Sequence, residues 1–126
     1  MTRIIVAGGR DFGDYSLLAT SLDKIFELYQ NIEIVSGHAR GADQLGEQYA
    51  REHDLPCAVF PAEWKRFGKQ AGFIRNAHML ENALKASPLV VAFWDGRSHG
   101  TEDMINKARA VGVECVVVSY PKEASE

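Results

Sequence analysis

The chain lacks the marks of several large protein classes. It has only two cysteines, Cys57 and Cys115, and no C-x-x-C pair. The common zinc and dithiol signatures are therefore absent. Each thiol lies in an apolar strand-like run, where a buried free cysteine is the expectation. No apolar run approaches the roughly 18 residues that suggest a membrane span. Lys and Arg number 14 against 17 Asp and Glu, and the pI is near 5.8. That balance argues against a protein that coats nucleic acid by bulk positive charge. The histidines, His38, His53, His78 and His99, show no ligand spacing, so no metal site is read. Neither a G-x-G-x-x-G fingerprint nor a Walker A sequence is present. A G-x-S-x-G elbow, which would mark a hydrolase nucleophile, is absent too. No linker, repeat, low-complexity segment or signal-peptide pattern is visible, so a cytoplasmic protein without membrane attachment is expected.

What is present is a regular alternation. With 126 residues, 46% of them apolar, the chain suffices for one domain with one core. Residues 1–120 are read as that domain and 121–126 as a polar tail. Strands are expected near 3–8, 32–36, 57–60, 89–94 and 113–119. Helical stripes separate them. Leu18, Leu22, Ile25, Phe26 and Tyr29 form the first, behind an Asp14 cap. Ala42, Leu45, Tyr49 and Ala50 form the second. After an irregular polar stretch at 63–69, Phe73, Ala77, Leu80 and Leu84 are expected to face the core, with Arg75, Met79 and Asn82 on another face. Met104, Ile105, Ala108 and Val111 form the last stripe, closed by Gly112. Strand and helix in turn imply an α/β fold: a doubly wound, mainly parallel five-stranded sheet with helices on both faces. Ligands of such sheets bind beyond the carboxyl ends of the strands, at the topological switch point.

Three strands run into loops rich in Gly, Arg and Asp, each leading toward a helix: Gly8-Gly9-Arg10-Asp11, Ser36-Gly37-His38-Ala39-Arg40-Gly41-Ala42-Asp43, and Trp94-Asp95-Gly96-Arg97-Ser98-His99-Gly100-Thr101. A helix start presents unpaired N–H groups and partial positive charge, which suits phosphate. Gly8, Gly9, Arg10, Gly37, Arg40, Gly41, Gly96, Ser98, Gly100 and Thr101 are read as an anion cradle. Ser36 offers a hydroxyl and Ala42 opens the second helix. Asp11 or Asp43 is placed to accept from ribose hydroxyls. Arg75 and Asn76 approach from the third helix, Asp95 belongs to the last loop, and Trp94 is a candidate for stacking on a base. For the first loop the plain alternative is a tight turn with a surface ion pair, for the second a helix N-terminus whose dipole Asp43 favours, and for Trp94 a core aromatic.

With Phe60-Pro61-Ala62-Glu63-Trp64, Gly68-Lys69-Gln70-Ala71-Gly72-Phe73-Ile74-Arg75-Asn76 and Gly100-Thr101-Glu102-Asp103-Met104-Ile105 added, the chain resembles the YspA-type, cpYpsA-related branch of the SLOG superfamily of Rossmann-like domains. The resemblance implies binding of a nucleotide or nucleotide-derived ligand, by a sensor or a processor, without a further cofactor. It is more distantly similar to the Lonely Guy phosphoribohydrolases, which cleave the N-glycosidic bond of nucleoside monophosphates. That likeness implies Arg75 and Asp103 as catalytic residues. Asn76 stands where those enzymes have Lys, Asp103 where they have Glu, and the Pro-Gly-Gly opening is missing. A third reading, single-stranded nucleic-acid binding, follows from likeness to DprA, and the acidic pI counts against it. The expected partner is a small molecule. A second copy of the chain is a further candidate.

Overall fold

A computed structural model describes residues 1–121. The tail expected at 121–126 lies, apart from Pro121, outside the described residues. The strands are β1 (Thr2–Gly8), β2 (Ile32–Ser36), β3 (Cys57–Val59), β4 (Ser87–Trp94) and β5 (Cys115–Ser119). The helices are α1 (Tyr15–Phe26), α2 (Ala42–Glu52), α3 (Trp64–Phe67), α4 (Ala71–Leu84) and α5 (His99–Ala110). The sheet order is β3-β2-β1-β4-β5, and every pairing is parallel. This is a Rossmann-like α/β architecture. The winding reverses between β1 and β4, which places the switch point there.

The alternation of side chains along β1 divides the core. Ile4 and Val6 face Leu18 and Leu22 of α1 and Tyr49 of α2. Ile5 and Ala7 face Met79, Leu80 and Ala83 of α4 and Met104 and Ile105 of α5. A parallel strand covered on both faces must be apolar where it is covered, and β1 from Ile4 and β4 from Leu89 are. Cys57 and Cys115 are free and half-buried on opposite edge strands.

Local chemistry sets the boundaries. Asp14 caps α1 by accepting from Leu17 N at 3.0 Å. Ser98 caps α5. The stretch at 63–69 holds helical turns: α3, then a 3₁₀ turn at Gly68–Gln70, with Gly68 at φ 59 ending α3.

The core face expected for α4 needs correction. Phe73 is 36% and Leu84 47% exposed, whereas Ala71, Asn76, Met79, Leu80 and Ala83 are buried. The stripe through small and polar residues wins because α4 also packs along α5, where Asn76 hydrogen-bonds. Val111, expected in the α5 stripe, is exposed because it caps the helix end outside its last packed turn.

Candidate functional site

The carboxyl ends of β1 and β4 open into a cavity of about 700 Å³. Its lining holds Gly8, Gly9, Arg10 and Asp11 from the first loop, Arg40 and Asp43 from the second, Arg75 and Asn76 from α4, and Asp95, Ser98, Gly100 and Thr101 from the β4–α5 turn.

Hydrogen bonds stitch the first two loops together. Gly9 carbonyl accepts from Phe12 N at 3.2 Å and from Ala42 N at 3.3 Å. Gly9 N donates to Phe93 O at 3.2 Å. A β-carbon at Gly8 would sit 2.5 Å from Ala42 Cβ, and one at Gly9 would meet the Tyr120 hydroxyl. These glycines let protein elements touch each other. Tyr120 donates to Asp11 Oδ1 at 2.9 Å, fixing that carboxylate. Burial, then Asp11, push the Tyr120 hydroxyl pKa up, so it stays a donor.

Asp43 and Arg75 form the floor. Asp43 is 5% exposed, and its Oδ2 accepts from Ala39 N at 3.2 Å. Burial pushes its pKa up to about 6, although Arg75 pulls the other way. Arg75 is pinned by donating through Nη1 to Gly37 O at 2.5 Å and through Nε to Asn76 Oδ1 at 3.1 Å. Burial lowers its pKa from the ordinary guanidinium value, and Asp43 opposes that shift. Asn76 Nδ2 donates to Gly100 O at 3.1 Å and Asp103 Oδ2 at 3.0 Å, tying α4 to the start of α5. Asp95 Oδ1 accepts from Arg97 N and Ser98 N at 2.8 and 2.9 Å, shaping the final turn. The N–H groups of His99 and Gly100 open α5 and have no carbonyl within the helix to donate to. A β-carbon at Gly100 would meet nothing within 4 Å.

Other candidates lie outside the cavity's lining. Ser36 Oγ is fully buried and bonds to Asp43 O and Glu47. Ala42 is buried behind Gly8. Gly41, at φ 81, is pressed against the first loop, and Gly96, at φ 85, turns the chain after β4. Gly37 lines an adjoining cavity. Trp94 packs on the α4–α5 core and donates Nε1 to Ser98 O at 3.1 Å. Asp103 accepts from Lys107 as well as Asn76 and does not reach the lining.

Several lining residues were missed by the sequence reading. Trp64 and Lys69 come from the α3 region, Gly72 and Phe73 from α4, and His99 from α5. Arg10 lies over the Trp64 ring at 5.5 Å. The aromatic and cation in the dense polar run at 63–69 were the available signal. Only the crossover from β3 to β4 brings that run over the strand ends.

A family model described as the YspA, cpYpsA-related SLOG family matches residues 2–67, just over half of the chain. The chain belongs to that SLOG family. Membership points to a nucleotide-related role in ligand binding or processing. The match carries the first two loops and reaches α3, whereas Arg75, Gly100 and Thr101 lie beyond it. The chain is also similar to the Gene 61 protein of Mycobacterium phage D29, with 27% identity over 122 residues, covering 92% of this chain and 95% of that protein. No solved structure matches this SLOG chain. Among its described residues, no helix is long and apolar enough to cross a membrane.

Proposed function

We propose that this SLOG protein binds a nucleotide or nucleotide-derived small molecule in the cavity at the β1–β4 switch point, as its sensor or processor. The observation that carries the reading is the local charge. The cavity gathers Arg10, Arg40, Lys69, Arg75 and Arg97 against Asp11, Asp43 and Asp95, in a chain of net charge -3. Guanidinium forks and a helix N-terminus are the groups that bind phosphate best. The phosphate belongs between Arg40, Arg75 and the start of α5. The nucleoside belongs toward Asp11 and Phe73, where the wall offers a carboxylate and an exposed ring. Calorimetric titration with nucleoside 5′-monophosphates tests this. Micromolar to millimolar binding that Arg40→Ala weakens is expected, and no binding of any of them overturns it.

One observation favours cleavage of an N-glycosidic bond as a second reading. Asp43 lines the cavity, is buried and has a pKa raised to about 6, which suits an acid–base group near neutral pH. In that reading Asp43, rather than Asp103, is the reacting carboxylate. Free base released from a nucleoside monophosphate, and lost in Asp43→Asn but kept in Asp103→Asn, would establish it.

A further inference from the structure

A second cavity of about 450 Å³ opens beside the first and shares Arg10, Arg40, Trp64 and Arg75 with it. His38 lines the second cavity only. Its Nδ1 lies 2.9 Å from Glu47 Oε2. Glu47 is held in turn by Ser36 Oγ, which donates at 2.7 Å. The Glu47 side chain is 12% exposed and that of His38 51%. The dyad therefore has a fixed inner end and an accessible outer one. His38 stands at φ 61, a region that residues other than glycine seldom occupy. Its N–H donates to Ser36 Oγ at 3.0 Å, which holds the turn.

The tautomer is set by the pairing. A neutral imidazole against a carboxylate must present Nδ1–H to it, because two lone pairs would repel. Nε2 is then an acceptor at the accessible end of the ring. With the imidazole neutral, the cavity thus combines donors for an anion, the shared arginines, with one oriented acceptor that a phosphate oxygen cannot satisfy. A hydroxyl satisfies it. Half-exposed Trp64 adds a flat apolar face, against which the C–H face of a sugar ring can lie.

We propose that the ligand is a nucleoside diphosphate sugar that spans both cavities. The nucleoside occupies the first, the diphosphate runs along the shared arginines, and the sugar enters the second, with a hydroxyl donating to His38 Nε2. This inference rests on the nucleotide reading of the first cavity and adds the class of the distal group.

The test is calorimetric titration of the intact protein with the 5′-monophosphates of adenosine, guanosine, cytidine and uridine, their diphosphates, and the corresponding nucleoside diphosphate glucoses. With at least one base, the glucose ester is expected to bind about tenfold tighter than the plain diphosphate. His38→Gly should remove most of that gain while leaving monophosphate affinity unchanged, as one lost hydrogen bond predicts. Glycine suits the φ of this position, and His38→Asn provides a second variant that tolerates it. Glucose esters that bind no tighter than plain diphosphates, while monophosphates bind, overturn the inference and leave the nucleotide reading standing. A gain that persists in both His38 variants also overturns it. Failure of every monophosphate to bind is the separate outcome that removes the nucleotide reading, and this inference with it.

Discussion

At the ends of β1 and β2 and beside α2, at Gly8, Gly9, Gly37 and Gly41, the space where a glycine side chain would project is already filled by the protein. In the turn after β4 it is empty. A β-carbon on Gly8, Gly9, Gly37 or Gly41 would run into Ala42, Tyr120, Arg75 or the Gly9 carbonyl respectively. One on Gly96 or Gly100 would meet nothing within 4 Å. The same composition thus does two jobs. The N-terminal loops use glycine to bring side chains and, at Gly41, another stretch of backbone close against the chain, which builds the wall of the cavity. The C-terminal turn uses it to leave room at the start of α5, where backbone N–H groups face outward. Glycine near a strand end is therefore not by itself a sign of ligand contact; what occupies the missing side chain's place decides.

The sharpest way to break this contrast is Gly41→Ala. Its φ of 81 and the Gly9 carbonyl in the path of a β-carbon combine backbone strain with a backbone clash. A loss on the order of 3 kcal/mol or more is expected in urea unfolding. A loss under about 1 kcal/mol would show that the wall is looser than described.

The next largest effect concerns the floor of the wall. The Asp43 pKa is raised from 3.8 to about 6 in the folded protein, so the native state holds a proton that the unfolded state has already released. Stability should therefore rise as pH falls from about 6 toward 4, and the charged carboxylate should cost stability above that window. Relative to Asp43→Asn, the wild type should gain on the order of 2–3 kcal/mol across it. Parallel curves for the two proteins would remove the buried-carboxylate account.

Binding tests the other side of the contrast. Arg40→Ala and Arg75→Lys should each weaken nucleotide binding by about 1.5–3 kcal/mol. If both touch one phosphate, the double variant should lose less or more than the sum. Strict additivity would separate them. Arg75→Lys should also lower the melting temperature, because Arg75 holds the Gly37 carbonyl. Exposed Arg40 carries no such bond in the loop and should not. Gly100→Val should have the smallest effect, roughly tenfold in affinity, or about 1.4 kcal/mol. Its stability should hardly change, since valine costs a helix no more than glycine does. Unfolding of Gly100→Val would mean that the turn is packed and not open.

The sequence made the order of elements and the three loops legible, because glycine and arginine after an apolar run are local signals. The phase of α4 was not. Phe73 and Leu84 fit a stripe as well as Met79 and Ala83 do, and only the packing of α4 along α5 through Asn76 selects between them. The place of Trp94 at a strand end makes it a candidate stacking face. Its indole N–H is used to close the β4–α5 turn instead. Trp64 and His38 are hidden for the opposite reason. One lies in a polar run that reaches the strand ends only through a crossover. The other has a partner, Glu47, more than two helical turns away in sequence, with no spacing rule to reveal the pair.

The bond from Tyr120 to Asp11 spans 109 residues. Its consequence concerns time. The first loop leaves the ribosome well before Tyr120 is made, yet its carboxylate is fastened by that residue, just past the last strand. A contact of such long range is slow to form. The cavity wall is therefore finished only when β5 docks, and a nascent chain carries β1 and its loop through the synthesis of the rest of the sheet before that wall can hold a ligand.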